Sequence, residues 1–104
     1  MAADAKWPFA DPTNLGVFTT VGVMNRTEPI CLVTHDLDGS WQFLPRSGAS
    51  MPRDARIIAL KEAVDADQSL LELANLPRGW QATRQYQYAV WQRSRSSKRS
   101  RSSN

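Results

Sequence analysis

Asp38-Gly39 stands between two runs of strand-forming residues, Ile30 to His35 and Ser40 to Leu44. Both residues tolerate positive φ, so the dipeptide predicts a two-residue type I′ turn that folds the flanking runs into a hairpin. With that loop Leu37 pairs with Ser40, Asp36 with Trp41, His35 with Gln42 and Thr34 with Phe43. Trp41 and Phe43 then share a face with Leu32 and Ile30, which becomes the expected core face.

Upstream, Val17, Thr19, Val21 and Val23 alternate with Phe18, Thr20 and Met24, which predicts a strand over 17–24. Asn25-Arg26-Thr27-Glu28-Pro29 supplies the turn that follows. Downstream, Pro45 to Pro52 reads as a loop. Residues 54–64 fit two patterns: Ile57, Leu60, Lys61 and Val64 suit a helix, whereas Arg56 to Leu60 suits a short strand. Pro52, Asp54 and the helix-favouring residues 59–64 incline the reading to helix. Asp67-Gln68-Ser69 caps a second helix to about Ala74, with Leu70, Leu73 and Ala74 facing inward, and Leu76-Pro77-Arg78-Gly79 ends it. From Trp80 the alternation returns, placing Trp80, Ala82, Arg84 and Tyr86 on one face of a last strand.

The expected architecture is α+β: a mainly antiparallel sheet of about four strands in the order β-β-β-α-α-β, with the helices packed on one face. At 104 residues and 41% hydrophobic content, the chain has material for one core. Residues 17–92 form the expected domain. Residues 1–16 form an irregular arm whose Trp7 and Phe9 lie against it, and residues 93–104 form a tail.

The net charge of +3 divides unevenly: residues 1–92 hold eight basic and ten acidic side chains, and residues 93–104 hold five basic and none acidic. Arg93, Arg95, Lys98, Arg99 and Arg101, interleaved with serine, offer no apolar surface to bury, so the tail reads as disordered. It is the segment from which a salt-sensitive association with nucleic acid would come. No apolar run approaches the roughly 18 residues of a spanning helix, and the start lacks a secretory signal, so the expected setting is the cytoplasm, without membrane contact.

Reactive constellations are sparse. Cys31 and His35 are the single cysteine and the single histidine. Four residues apart on a strand, they lie about 13 Å from one another and cannot form a thiolate–imidazole pair. His35, Asp36 and Asp38 bring one imidazole and two carboxylates close together, but a calcium-loop register from Asp36 meets Trp41 and Ser47 where glycine and glutamate are needed. Hairpin-turn chemistry explains the two aspartates more simply. Phosphate loops, nucleophile elbows and zinc-protease motifs do not occur. No cofactor or metal is expected, and the chain reads as non-enzymatic.

The strings Thr34-His35-Asp36-Leu37-Asp38-Gly39-Ser40-Trp41-Gln42-Phe43, Ile58-Ala59-Leu60, Asp67-Gln68-Ser69-Leu70 and Leu76 to Arg84, with Trp91, resemble a small bacterial domain family of unknown function. That family is related to the immunity proteins of polymorphic toxin systems. The resemblance covers about residues 17–92, its most specific parts are DGSWQF and LPRGW, and the basic tail lies outside it. It implies a stand-alone α+β domain without known catalysis and carries over no functional residues.

These readings converge on a non-catalytic protein-binding domain, immunity-like in type, that inhibits a partner protein by covering it. The hairpin tip and the turn before Trp80 are the places to look, through His35, Asp36, Asp38, Trp41, Trp80 and Arg84. A nucleic-acid module acting through the tail is the second reading. An enzyme or metal-binding protein using His35, Asp36 and Asp38 is the third.

Overall fold

The computed structural model describes residues 7–48 and 52–96. They form one mixed six-stranded sheet: β1 (Gly16–Thr20), β2 (Leu32–His35), β3 (Trp41–Leu44), β4 (Ala55–Ala59), β5 (Trp80–Thr83) and β6 (Gln92–Arg95). Its order is β4-β1-β3-β2-β5-β6. Neighbours are antiparallel except β1 and β3, which run parallel with Phe18 opposite Gln42. Two α-helices, α1 (Val21–Met24) and α2 (Leu60–Ala66), and 3-10 helices at Pro52–Asp54 and Gln68–Leu73 complete the fold. The α+β class agrees with the sequence reading; the sheet has six strands instead of about four and is mixed. The parallel pair arises because the chain leaving β1 passes β3's place and builds β2 first, an order that local alternation does not encode.

The hairpin forms with a longer loop than Asp-Gly suggested. Asp36 N–H donates to the Ser40 carbonyl at 2.8 Å and Gly39 N–H to the Asp36 carbonyl at 2.9 Å, with Gly39 at φ +93°. This is the three-residue loop, a turn followed by a left-handed glycine. The added residue shifts the register by one, pairing His35 with Trp41 and Val33 with Phe43. A one-residue slip exchanges the two faces of a strand. The core face therefore carries Val33 and His35 beside Trp41 and Phe43, and Leu32 lies on the other face.

Three further elements depart from the sequence reading. The first strand stops at Thr20, whose hydroxyl accepts from Val23 N–H at 3.3 Å and caps α1. Gly22 is tight against Glu28, since a Cβ there would lie 2.1 Å from Glu28 Oε1. The 54–64 segment divides: Ile57 and Ile58 pair with β1 as strand, and the helix begins only at Leu60. Glu62 Oε1 accepts from Ala59 N–H at 3.0 Å, fixing that start, and Leu60, Ala63 and Val64 turn inward. The last predicted strand ends at Thr83, so Tyr86 leaves the sheet.

Strands and helices share one core. Between them lie Val17, Val33, Trp41, Phe43 and Ala82 from the strands and Leu60, Val64, Leu70 and Leu73 from the helices. The N-terminal arm seals one end: Phe9 meets Trp41 edge-on at 5.4 Å, and Asp11 accepts from the indole N–H of Trp41 at 2.9 Å.

Candidate functional site

The two turns singled out from sequence dock on one another. His35 stands in register between Trp41 and Trp80, and the three residues form a row across β3, β2 and β5. The imidazole stacks on Trp41 at 3.9 Å, and its Nδ1–H donates to the Leu76 carbonyl at 2.7 Å. Gly79 N–H donates to the His35 carbonyl. Gly79 has φ +85°, and a Cβ there would come within 3.0 Å of Leu37 Cδ2, so glycine is needed on both counts. Arg78 reaches across to Gly39 in the same way, where a Cβ would lie 3.0 Å from its Nη2.

The carboxylates at the tip serve the turn. Asp38 Oδ1 accepts from the Ser40 hydroxyl and from Ser40 N–H, the latter at 2.9 Å. Ser40, through its hydroxyl first and its backbone second, holds the Asp38 carboxyl below its ordinary value, and the nearby charge of Arg78 adds to the effect. Asp36 Oδ2 accepts from Gln42 Nε2 at 3.2 Å. His35, Asp36 and Asp38 are thus adjacent in sequence but bound to separate partners. Among the described residues no group of three or more His, Cys, Asp or Glu side chains is placed to hold a metal ion.

Arg84 belongs to the interior. It is 4% exposed, follows β5 and bolts three segments together. Nε and Nη2 donate to the Ile30 carbonyl at 3.0 and 2.7 Å, Nη1 donates to Ser69 Oγ at 3.2 Å, and Nη2 pairs with the Asp67 carboxylate. The guanidinium lies 4.2 Å over the Trp91 ring, whose N–H also donates to Ser69 Oγ. Asp67 caps the 3-10 helix as its sequence predicts, accepting from Ser69 N–H at 3.0 Å. Its pairing with Arg84 has no local signal, since the two are 17 residues apart.

The face turned away from the helices shows what the sequence reading missed. One registered row runs across all six strands: Ile57, Phe18, Gln42, Thr34, Gln81 and Ser94. The neighbouring row holds Leu44, Leu32, Thr83 and Gln92. None of these side chains is charged. Ile57 is 67% exposed, Phe18 is also exposed, and the hydroxyl of buried Thr34 at the centre has no hydrogen-bond partner among the described residues. The β5–β6 loop borders this face and presents Tyr86, Tyr88 and Val90, at 65%, 87% and 78% exposure. Tyr88 sits at φ +75°, in the left-handed region that a bulky side chain rarely enters. Loop and sheet enclose an open cleft of about 770 Å³ between Leu32, Thr83, Gln92, Tyr86, Val90 and Arg46.

Residues 93–95, expected to belong to the tail, lie in a strand of the sheet. Arg93 and Arg95 lie in β6, opposite Ala82 and Trp80. Arg93 donates to the Glu72 carbonyl at 2.8 Å and to Asn75 Oδ1 at 2.7 Å, and Arg95 lies over the Trp80 ring. An edge strand buries little, so a Ser/Arg sequence can form one once β5 offers its ladder. Lys98, Arg99 and Arg101 lie outside the described residues. No helix among the described residues is long and apolar enough to cross a membrane. No family model, curated protein or solved structure matches the chain.

Proposed function

We propose that this chain is a non-catalytic protein-binding domain, and that its binding surface is the sheet face whose strand residues are uncharged, bordered by Asp36 and Arg46, together with the β5–β6 loop. One observation carries the reading: two tyrosines and a valine stand exposed on a loop, with Tyr88 held in a strained conformation, beside a sheet face without a charged strand residue. Burying its centre under a partner costs little charge desolvation, since the charges of Asp36 and Arg46 lie at its border, and interface cores are depleted in charge and enriched in tyrosine. Strain of about 1–3 kcal/mol at a non-glycine residue is a frequent mark of a functional loop. An inhibitor of the immunity type, which covers its target, fits this surface. The row of His35, Trp41 and Trp80, three residues singled out from sequence as binding candidates, serves chiefly to hold the hairpin and the 76–79 turn together.

The test is capture of a partner from the source cell by the whole chain, by a Phe18→Asp/Ile57→Asp/Tyr88→Ala variant, and by a chain ending at Ser96, each with and without nuclease. The reading expects one protein to be retained by the first and third and lost by the second, whatever the nuclease treatment. Retention by the triple variant, or loss on tail removal or nuclease treatment, overturns it and favours the nucleic-acid reading.

A further inference from the structure

The two edges of the sheet are finished differently. In β4 the ladder to β1 uses every second residue, continuing through Leu60 N–H to the Leu15 carbonyl at 2.8 Å, so Ala55, Ile57 and Ala59 turn their backbone groups outward. Two of those groups are already occupied by neighbouring side chains. The Ala55 carbonyl accepts from Arg56 Nη1 at 2.8 Å, and Ala59 N–H donates to Glu62. In β6 the ladder to β5 ends with Ser96 N–H on the Gly79 carbonyl at 2.7 Å, so Gln92 and Ser94 bond inward while Arg93 and Arg95 turn their N–H and C=O outward. Neither residue has a side chain folded over those backbone groups; both guanidiniums reach back onto the domain instead.

We infer that the β6 edge accepts an added strand from a partner protein, an extended segment carrying Asp or Glu at two alternate positions. The inference rests on the protein-binding reading and specifies which chemistry that partner brings. Strand addition supplies affinity through main-chain hydrogen bonds, and side chains at alternate positions supply specificity. Arg93 and Arg95 lie on one face of β6, so acids two residues apart on the incoming strand stand opposite them. The same two arginines disfavour β6 of a second copy, because like charges would meet across the new ladder. On the other face the incoming strand extends the uncharged row that ends at Ser94.

The probe is a synthetic octapeptide of threonine and valine with aspartate at its fourth and sixth positions, beside a version with lysine at both. The full-length chain is titrated with each while its amide signals and their hydrogen exchange are followed. The inference expects binding of the aspartate peptide, protection of the Arg93 and Arg95 amides, and about tenfold weaker binding for Arg93→Gln/Arg95→Gln, from two partly screened charge pairs. Equal binding of the lysine peptide, no protection at Arg93 and Arg95, or protection that rises with protein concentration alone overturns it. If the peptide fails at β6 while the Phe18/Ile57/Tyr88 variant still loses its cellular partner, strand addition is wrong and the binding surface stands. If the variant keeps that partner, the surface itself is wrong.

Discussion

Replacing Arg84 by methionine tests how the domain is held together. The guanidinium satisfies the Ile30 carbonyl twice, Ser69 Oγ once and the Asp67 carboxylate, all within a site where Arg84's side chain is 1% exposed and Asp67's 13%. Methionine keeps the stem volume but loses the guanidinium's place over the Trp91 ring. It leaves a carboxylate with no counter-charge and a carbonyl with no donor, a loss of about 3–5 kcal/mol for one member of a buried pair. Domains of this size hold about 5–10 kcal/mol in total, so the variant retains its fold with most of its margin gone. With a urea slope of about 1 kcal/mol/M, the midpoint falls by about 3–5 M. Arg84→Lys keeps the charge but loses the fork and falls between the two. Combining Asp67→Asn with Arg84→Met costs less than the sum of the single changes by about 1–2 kcal/mol, because the second removes a group the first has already orphaned. Urea unfolding followed by tryptophan fluorescence and circular dichroism gives all four values. A loss below about 1 kcal/mol for Arg84→Met, or strict additivity, would refute the reasoning.

Gly79→Ala sets a Cβ at φ +85° against Leu37 Cδ2 and costs about 1–2 kcal/mol in the same assay, whereas Gly48→Ala meets no neighbour among the described residues and costs its φ strain. Tyr88→Gly relieves the left-handed strain of an 87% exposed ring and leaves stability unchanged or raised by up to about 1 kcal/mol, yet weakens partner capture; a large loss of stability would mean the ring packs. At the hairpin tip, the Asp38 carboxyl titrates below its ordinary value of 3.8, so its contribution is present above that pH and is lost as pH falls through the lowered value. Asp38→Asn is therefore less stable than the parent at neutral pH, the gap closes in acid, and Ser40→Ala moves the carbon-detected titration of Asp38 back toward 3.8.

What the sequence revealed was local, and what it concealed was set by partners distant in the chain. Asp38-Gly39 located the hairpin, and Asp67-Gln68-Ser69 located the cap, because each motif satisfies its own backbone. The face of Trp41 came out correctly, but its partners on β2 did not, since one extra loop residue decides the register and Asp-Gly serves both loop lengths. Ile57-Ile58 became strand although helix-favouring residues follow, because β1 needed a neighbour; tertiary pairing overrides propensity of a few tenths of a kcal/mol per residue. Alternation puts Arg84 on one face with Trp80, Ala82 and Tyr86 but does not show that the strand ends at Thr83 or that Asp67 and Ile30 hold Arg84 inside. Nothing in QYQYAV distinguishes an exposed loop from a strand end, so the proposed surface is legible only in the fold.

A photo-reactive phenylalanine analogue placed singly at Tyr88, Ile57 or Lys61, with irradiation in the source cell, interrogates the proposed surface directly. Tyr88 and Ile57 lie on the loop and sheet face, and Lys61 is exposed on α2. The account predicts a nuclease-resistant adduct to one and the same protein from positions 88 and 57, and none from position 61. Adducts of equal yield from position 61, or adducts that vanish after nuclease treatment, would contradict it.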